Sequence, residues 1–295
     1  MTEIIQQFVD GLGRGGEYAL IALGVGLIFG VMRLVNFAHG ELITVSAYAA
    51  YGLAISQMSW WVLAPAIILT AIITSVAIEF IAFRWVRSSS DFAMLLTSFG
   101  VHFVVQAAFV MYVSASARHF SRPEWITTTV SISGIRFEVV DLSIIAATVV
   151  SLGFTVWVLQ RTVYGMSIRA AAEDFDTARL LGISSERVIR AAFALAGLLA
   201  GIAALFFLMR TGRAAPSAGL VPMLKGVLAA LIGGLGRLQG AVLGGLLLGM
   251  AEILLVSYLP DSIDGMVNGV IFILVAILFV FRPSGIFSPR PSQRV

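Results

Sequence analysis

Few residues in this 295-residue chain are equipped for chemistry. There is no cysteine, and the three histidines, His39, His102 and His119, are too widely spaced to indicate a metal site. No nucleophile falls at a recognisable spacing from a base, and no Gly-x-x-x-x-Gly-Lys-Ser/Thr run is present to cradle ATP phosphates. The residues that do stand out are ionisable groups set in apolar surroundings: Glu79, His102, Lys225 and Glu252. Such groups are costly in hydrocarbon, so they are expected to face other helices or a water-filled cavity. Lys225, the only lysine, and Glu252 lie in successive apolar segments and are candidates for a pair. Glu79 is close to Arg84 at a segment end, where snorkelling is the simpler expectation.

A second set of candidates sits in two short turns. Asn36-Phe37-Ala38-His39-Gly40-Glu41 joins one pair of apolar segments early in the chain, and Gly236-Arg237-Leu238-Gln239-Gly240 joins another pair late. Broken segments can mark a translocation path, because exposed backbone groups need protein or water around them. Asn36, His39, Glu41 and Gln239 therefore join Lys225 and Glu252 as candidates for lining or gating a path. For Asn36, His39 and Glu41 a structural or gating role ranks first, since the distribution of arginine places that turn at the cytoplasmic interface, where polar residues cost little.

The elements that position these residues follow from composition. Hydrophobic residues make up 59% of the chain and charged residues 12%, with a mean hydropathy of +0.98. A soluble domain carries about 25% charged residues, so too little polar material is present to cover a globule. A spanning helix needs roughly 20 apolar residues. Clear candidates are 60–83, 92–113, 139–160, 189–209 and 265–281. Shorter or Gly-interrupted ones are 18–35, 41–57, 221–236 and 238–258. The fold class is thus all-α, a polytopic membrane helix bundle of eight or nine segments in one domain, 1–295; residues 221–236 either span or re-enter. None of the runs alternates as a barrel strand would.

Residues 1–17 lack a basic region ahead of an apolar stretch, so no cleavable signal is expected. They read equally as a short interfacial helix and as a frayed terminus. With the N-terminus outside and nine crossings, Arg33, Arg84, Arg87, Arg161, Arg169, Arg179, Arg187, Arg190, Arg237, Arg282, Arg290 and Arg294 fall in the cytoplasm. Only Arg14, Arg118, Arg122, Arg136, Arg210 and Arg213 fall outside, with acidic residues close to most of them, and the loop with Asp261 and Asp264 is also external. This bias predicts N-out and C-in, with the lipid bilayer of a bacterial inner membrane as the setting. The pI near 9.6 is then a topology signal and gives no reason to invoke nucleic acid. Gly236, Gly240 and Gly244, and separately Gly245 and Gly249, are spaced by four. That spacing builds faces for close helix packing in lipid. Residues 114–138, containing Pro123, Trp125 and the Ser133-Gly134 pair, are expected to be an external cap or a plain connector.

The internal segment 161–188 is more informative. Ile168, Ala171, Ala172, Phe175, Ala178 and Leu181 repeat at helical spacing and predict one amphipathic helix. Gly182 supplies a left-handed stop, and Ser184 or Ser185 is placed to cap the next helix. Glu173, Asp174 and Asp176 offset the arginines, which disfavours lipid as the target of the helix. Covering loop backbone and docking on a cytoplasmic partner remain equally good readings.

Several of these runs also carry a family resemblance. Arg169-Ala170-Ala171-Ala172-Glu173-Asp174, with Ala178 and Leu181-Gly182-Ile183, resembles the coupling loop of the permease subunits of branched-chain (hydrophobic) amino acid ABC importers. Tyr18 to Gly24, Val35-Asn36-Phe37-Ala38-His39-Gly40-Glu41, Gly233 to Gly236, Gln239 to Gly245 and Arg282-Pro283-Ser284-Gly285-Ile286 match that family in order. The resemblance covers about residues 18 to 287. It implies that this chain is a transport subunit and not an enzyme, with no cofactor of its own. Its implied partners are a second permease, cytoplasmic ABC ATPases that use ATP-Mg, and a periplasmic substrate-binding protein. Arg169, Ala172, Glu173, Asp174, Phe175, Ala178 and Gly182 are then implied to couple to the ATPases. Similar permeases also serve urea, short amides and other small solutes. A self-contained facilitator is a further, weaker alternative.

Overall fold

The computed structural model of the chain describes residues 2–87, 89–132, 134–259, 266–282 and 285–287, with the side chains of Ile132, Phe175 and Asp176 outside the described set. Expectations resting on Ser133, Asp261, Asp264, Pro283, Ser284, Arg290 and Arg294 therefore lie outside the described residues, as does the role expected of the Phe175 side chain. Twelve α-helices occur among the described residues: α1 (Thr2–Met32), α2 (His39–Ile55), α3 (Trp60–Ile78), α4 (Arg84–Val86), α5 (Asp91–Tyr112), α6 (Val139–Arg161), α7 (Val163–Glu173), α8 (Phe175–Leu180), α9 (Ser185–Thr211), α10 (Leu220–Gly233), α11 (Leu238–Tyr258) and α12 (Val267–Phe281). A π-helical turn at Glu79–Phe83 joins α3 to α4 without interrupting the rod.

The nine apolar segments each correspond to a helix. Among the described residues, six helical runs are long and apolar enough to cross a membrane: Thr2–Met32, Trp60–Val86, Asp91–Tyr112, Val139–Arg161, Ser185–Thr211 and Leu238–Tyr258. Helices α10 and α12 are apolar but have 14 and 15 residues. At 1.5 Å per residue they rise about 21–23 Å, short of the ~30 Å hydrocarbon core.

Residues 2–17 depart from both readings of the N-terminus. They form the first half of the 31-residue helix α1, whose Gly11, Gly13, Gly15, Gly16 and Glu17 are buried. The glycines that argued for a broken segment are what lets it pack. A Cβ at Gly15 would collide with Leu246, one at Gly249 with Gly15, and one at Gly245 with Ala19. Thus α1 and α11 lie backbone against backbone, the most extensive helix pairing among the described residues. Gly240 and Gly244 do the same work toward α10, meeting Gly233 and Ala229. Gly236 does not. It adopts φ +82°, with Gly30 Cα 3.8 Å from the Cβ position, so it is a turn residue between α10 and α11, not a packing one.

Helix α1 also touches α6, α9 and α10, which makes it the centre of the bundle. Helix α5 is peripheral, with Phe103, Val104 and Met111 more than half exposed, as suits a lipid-facing surface. The segment between α5 and α6 is ordered over most of its length. It holds a 3-10 turn (Glu124–Thr127) and an antiparallel hairpin of β2 (Thr129–Ile132) with β3 (Ile135–Glu138). Strand β1 (Arg118–His119) pairs with β4 (Arg213–Ala214), tying this cap to the end of α9.

Candidate functional site

Charged residues buried between apolar helices define the site. Helix α1 turns Arg14, Glu17 and Tyr18 to one side, at the i, i+3 and i+4 positions that share a face. Lys225 comes from α10 and Glu252 from α11. Lys225 Nζ donates to Glu252 Oε2 at 2.8 Å and to Tyr18 Oη at 3.0 Å, while Tyr18 Oη donates to the same Glu252 oxygen at 2.6 Å. The ammonium also lies 5.1 Å from the centroid of the Tyr18 ring. Lys225 and Tyr18 are 5% and 3% exposed, so the three groups satisfy one another away from bulk solvent. The predicted pairing of Lys225 with Glu252 is present, and Tyr18 completes it. Tyr18 was quoted in the sequence only as part of a run, and its hydroxyl is separated from its partners by more than 200 residues.

A second layer adjoins the first. Arg210 of α9 approaches Glu17 at 3.2 Å and donates to Asp141 of α6 at 2.5 Å; Arg14 reaches Glu17 at 3.9 Å. Gly13 is required here, because a Cβ at that position would run into the Asp141 carboxylate. None of Arg14, Glu17, Asp141 or Arg210 was singled out from the sequence as a site residue. The available signal was the spacing of Arg14, Glu17 and Tyr18, which becomes meaningful only once residues 2–17 are known to be helical.

These groups border a cavity of about 490 Å³. Its charged lining is Arg14, Glu17, Lys225 and Glu252, with Arg213 at β4. Its apolar lining includes Phe207, Val221 and Pro222. Gln239 lies elsewhere. It is exposed beside the Gly236–Gly240 turn, in a separate 510 Å³ depression with Arg237 and Phe287, and is not brought together with Lys225 and Glu252.

The early turn is buried inside the protein. Helix α1 ends with Arg33 at φ +53°, and the Asn36 side chain accepts from Ala38 N at 3.0 Å to shape the entry to α2. Glu41 is fully buried and meets His102 Nδ1 of α5 at 2.6 Å. His39 packs against α1, where a Cβ at Gly24 would lie 2.6 Å from His39 Nε2; neither ring nitrogen has a hydrogen-bond partner. Asn36, His39 and Glu41 form the foundation of the turn, and none of them lines the 490 Å³ cavity. Glu79 also differs from expectation. It is 2% exposed and faces Arg87 at 3.7 Å, while Arg84 pairs with Glu186 at 2.9 Å. The π turn draws Glu79 inward, which replaces snorkelling with burial.

The 161–188 segment forms two helices where one was expected. Asp174 has extended backbone angles, and its carboxylate accepts from Thr177 N at 3.2 Å and from Thr177 Oγ1 at 2.6 Å. A short acid that caps the following turn ends the preceding helix. Ile168, Ala171 and Ala178 are buried as predicted, but Leu181 is 76% exposed. Gly182 sits at φ +82°, and the bonds Gly182 N to Arg179 O and Ile183 N to Ala178 O close a Schellman motif. Ser184 occupies the cap position of α9, but neither it nor Ser185 supplies a side-chain cap; Glu186 serves the Arg84 and Arg87 pairs. Arg169 and Glu173 are exposed, and Ala172 is half-buried in a small crevice formed with Leu27 and Val31 of α1.

Comparison with known proteins places this architecture. BraD of Pseudomonas aeruginosa, a high-affinity branched-chain amino acid transport system permease protein, is 31% identical over 99% of this chain and 98% of its own length. LivH of Salmonella typhimurium, described in the same terms, is 30% identical over 99% and 97%. The xylose transport system permease protein XylH of Escherichia coli is 40% identical, but across only 28% of this chain and 23% of its own. The family model described as branched-chain amino acid transport system / permease component matches residues 7–276. The chain belongs to that permease family.

Proposed function

We propose that this chain is the transmembrane permease subunit of an ATP-driven ABC importer for branched-chain or other hydrophobic amino acids. The observation that carries this reading is similarity along essentially the whole chain to permeases of that cargo class. In this reading 1–295 is one permease domain, multi-pass in a bacterial inner membrane, with eight or nine crossings, N-terminus outside and C-terminus cytoplasmic. The arginine bias supports that orientation. ATP-Mg is used by partner ATPase subunits, and cargo arrives from a periplasmic binding protein and passes between this chain and a second permease.

The chain's own contribution divides in two. Helices α7 and α8 present Arg169 and Glu173 outward while burying Ile168, Ala171 and Ala178, which suits a docking surface for the ATPases. Gly182 and Asp174 set the shape of that surface. Alternating access then acts on the bundle around α1. The test is reconstitution of the assembled transporter in proteoliposomes with labelled leucine. Uptake that requires ATP and all partners is expected. Uptake by this chain alone without ATP would replace the reading with a facilitator, and transport of urea or a short amide in preference to leucine would replace the cargo.

A further inference from the structure

Resting on the permease reading, the 490 Å³ cavity bordered by α1, α10 and α11 has the composition of a cargo site, lined by both charged and apolar side chains. Its volume falls within the ~300–1,000 Å³ range of small-molecule sites. The charged lining combines both signs within a few side chains. Lys225 and Glu252 neutralise each other directly, but only one carboxylate oxygen of Glu252 is engaged, by Lys225 and Tyr18. Arg14 is less committed. Its one ion pair among the described residues is the long 3.9 Å contact to Glu17, whose carboxylate is held more closely by Arg210, and its side chain is 34% exposed. One cation and one carboxylate oxygen therefore remain available in a cavity that Phe207, Val221 and Pro222 also line. A simple stabilising salt bridge requires neither the unspent donors nor the void.

We propose that this cavity recognises a free zwitterionic α-amino acid, with its carboxylate on Arg14, its ammonium on Glu252 and its aliphatic side chain against Phe207, Val221 and Pro222. Lys225 and Tyr18 act as positioning residues that hold Glu252 in place. The recognised feature is the pair of opposite charges on one carbon, so a molecule with only one of them leaves a buried partner unmet.

The chain's lack of cysteine provides a test that needs no binding protein. Ser217 lines the cavity and is exposed, so Ser217→Cys places one reporter thiol there. In the intact transporter, labelling of that thiol by a small maleimide would be followed by mass spectrometry of this chain. Leucine is expected to slow labelling, whereas isoamylamine and 4-methylpentanoate, which each lack one charge, give little protection at equal concentration. Adding Arg14→Gln should raise the leucine concentration needed by about tenfold or more, as expected for loss of a charge-assisted contact. Arg14→Lys should restore part of it. Protection that is absent for all three compounds, or equal for all three, in a transporter that does import leucine overturns the site. A transporter that imports no amino acid overturns the permease reading itself, which separates the two failures. If Arg14→Gln fails to assemble, the pattern of protection by the three compounds in Ser217→Cys alone decides.

Discussion

Two buried acid–base contacts cross between helices, and they differ in what surrounds them. Lys225–Glu252 joins α10 to α11, engages Tyr18 of α1 and borders a cavity. Glu41–His102 joins α2 to peripheral α5 and is enclosed by side chains. Phe37 stacks on Phe99 with centroids 4.2 Å apart, and Tyr48 stacks on Phe109 at 4.1 Å. The first contact has spare hydrogen-bonding capacity facing a void. The second is a polar clasp in an aromatic ladder that fastens α5 to the bundle. Burial of an acid against a nitrogen partner is therefore not itself a sign of function; the neighbouring space distinguishes the two.

The comparison can be broken most forcefully at Lys225. Lys225→Met strands Glu252 without its counter-ion and is expected to cost about 3–5 kcal/mol, read as a lowered melting temperature of the detergent-purified assembly. The double variant Lys225→Met/Glu252→Met should recover most of that stability while uptake remains lost. Recovered uptake would reduce the pair to a structural tie. At the other contact, Glu41→Gln with His102→Gln should lower stability by about 1–2 kcal/mol yet leave the KM for leucine unchanged. A raised KM would bring the clasp into the path. The smallest effect is expected for Tyr18→Phe. Removing one hydroxyl should cost about 0.6–1.7 kcal/mol in a thermal melt, with the fold intact.

Much of the architecture was legible because apolar runs and helices coincide in a membrane protein, where composition changes sharply at each end. Lys225 and Glu252 stood out for the same reason: a charge inside such a run has few tolerable environments. Residues 2–17 were obscured because glycine signals both a weak helix and a close helix contact, and only the apposed Leu246 and Gly249 reveal which applies. The Glu41–His102 contact left no trace, since 61 residues separate its members and no local period connects them. Helical periodicity ran straight through Asp174, where a side chain that competes for the backbone outweighs it.

The continuity of α1 has a mechanical consequence. From Val31, which lines the crevice beside α7, to Tyr18, which grips Glu252, the helix runs without a break for 13 residues, or about 20 Å of rise. It is seated on α11 by close approach at Gly15, Gly245 and Gly249 and tied to it by the Tyr18 hydroxyl. A displacement of the Val31 end thus has a hinge-free lever to work on, with the Tyr18 hydroxyl along its far arm.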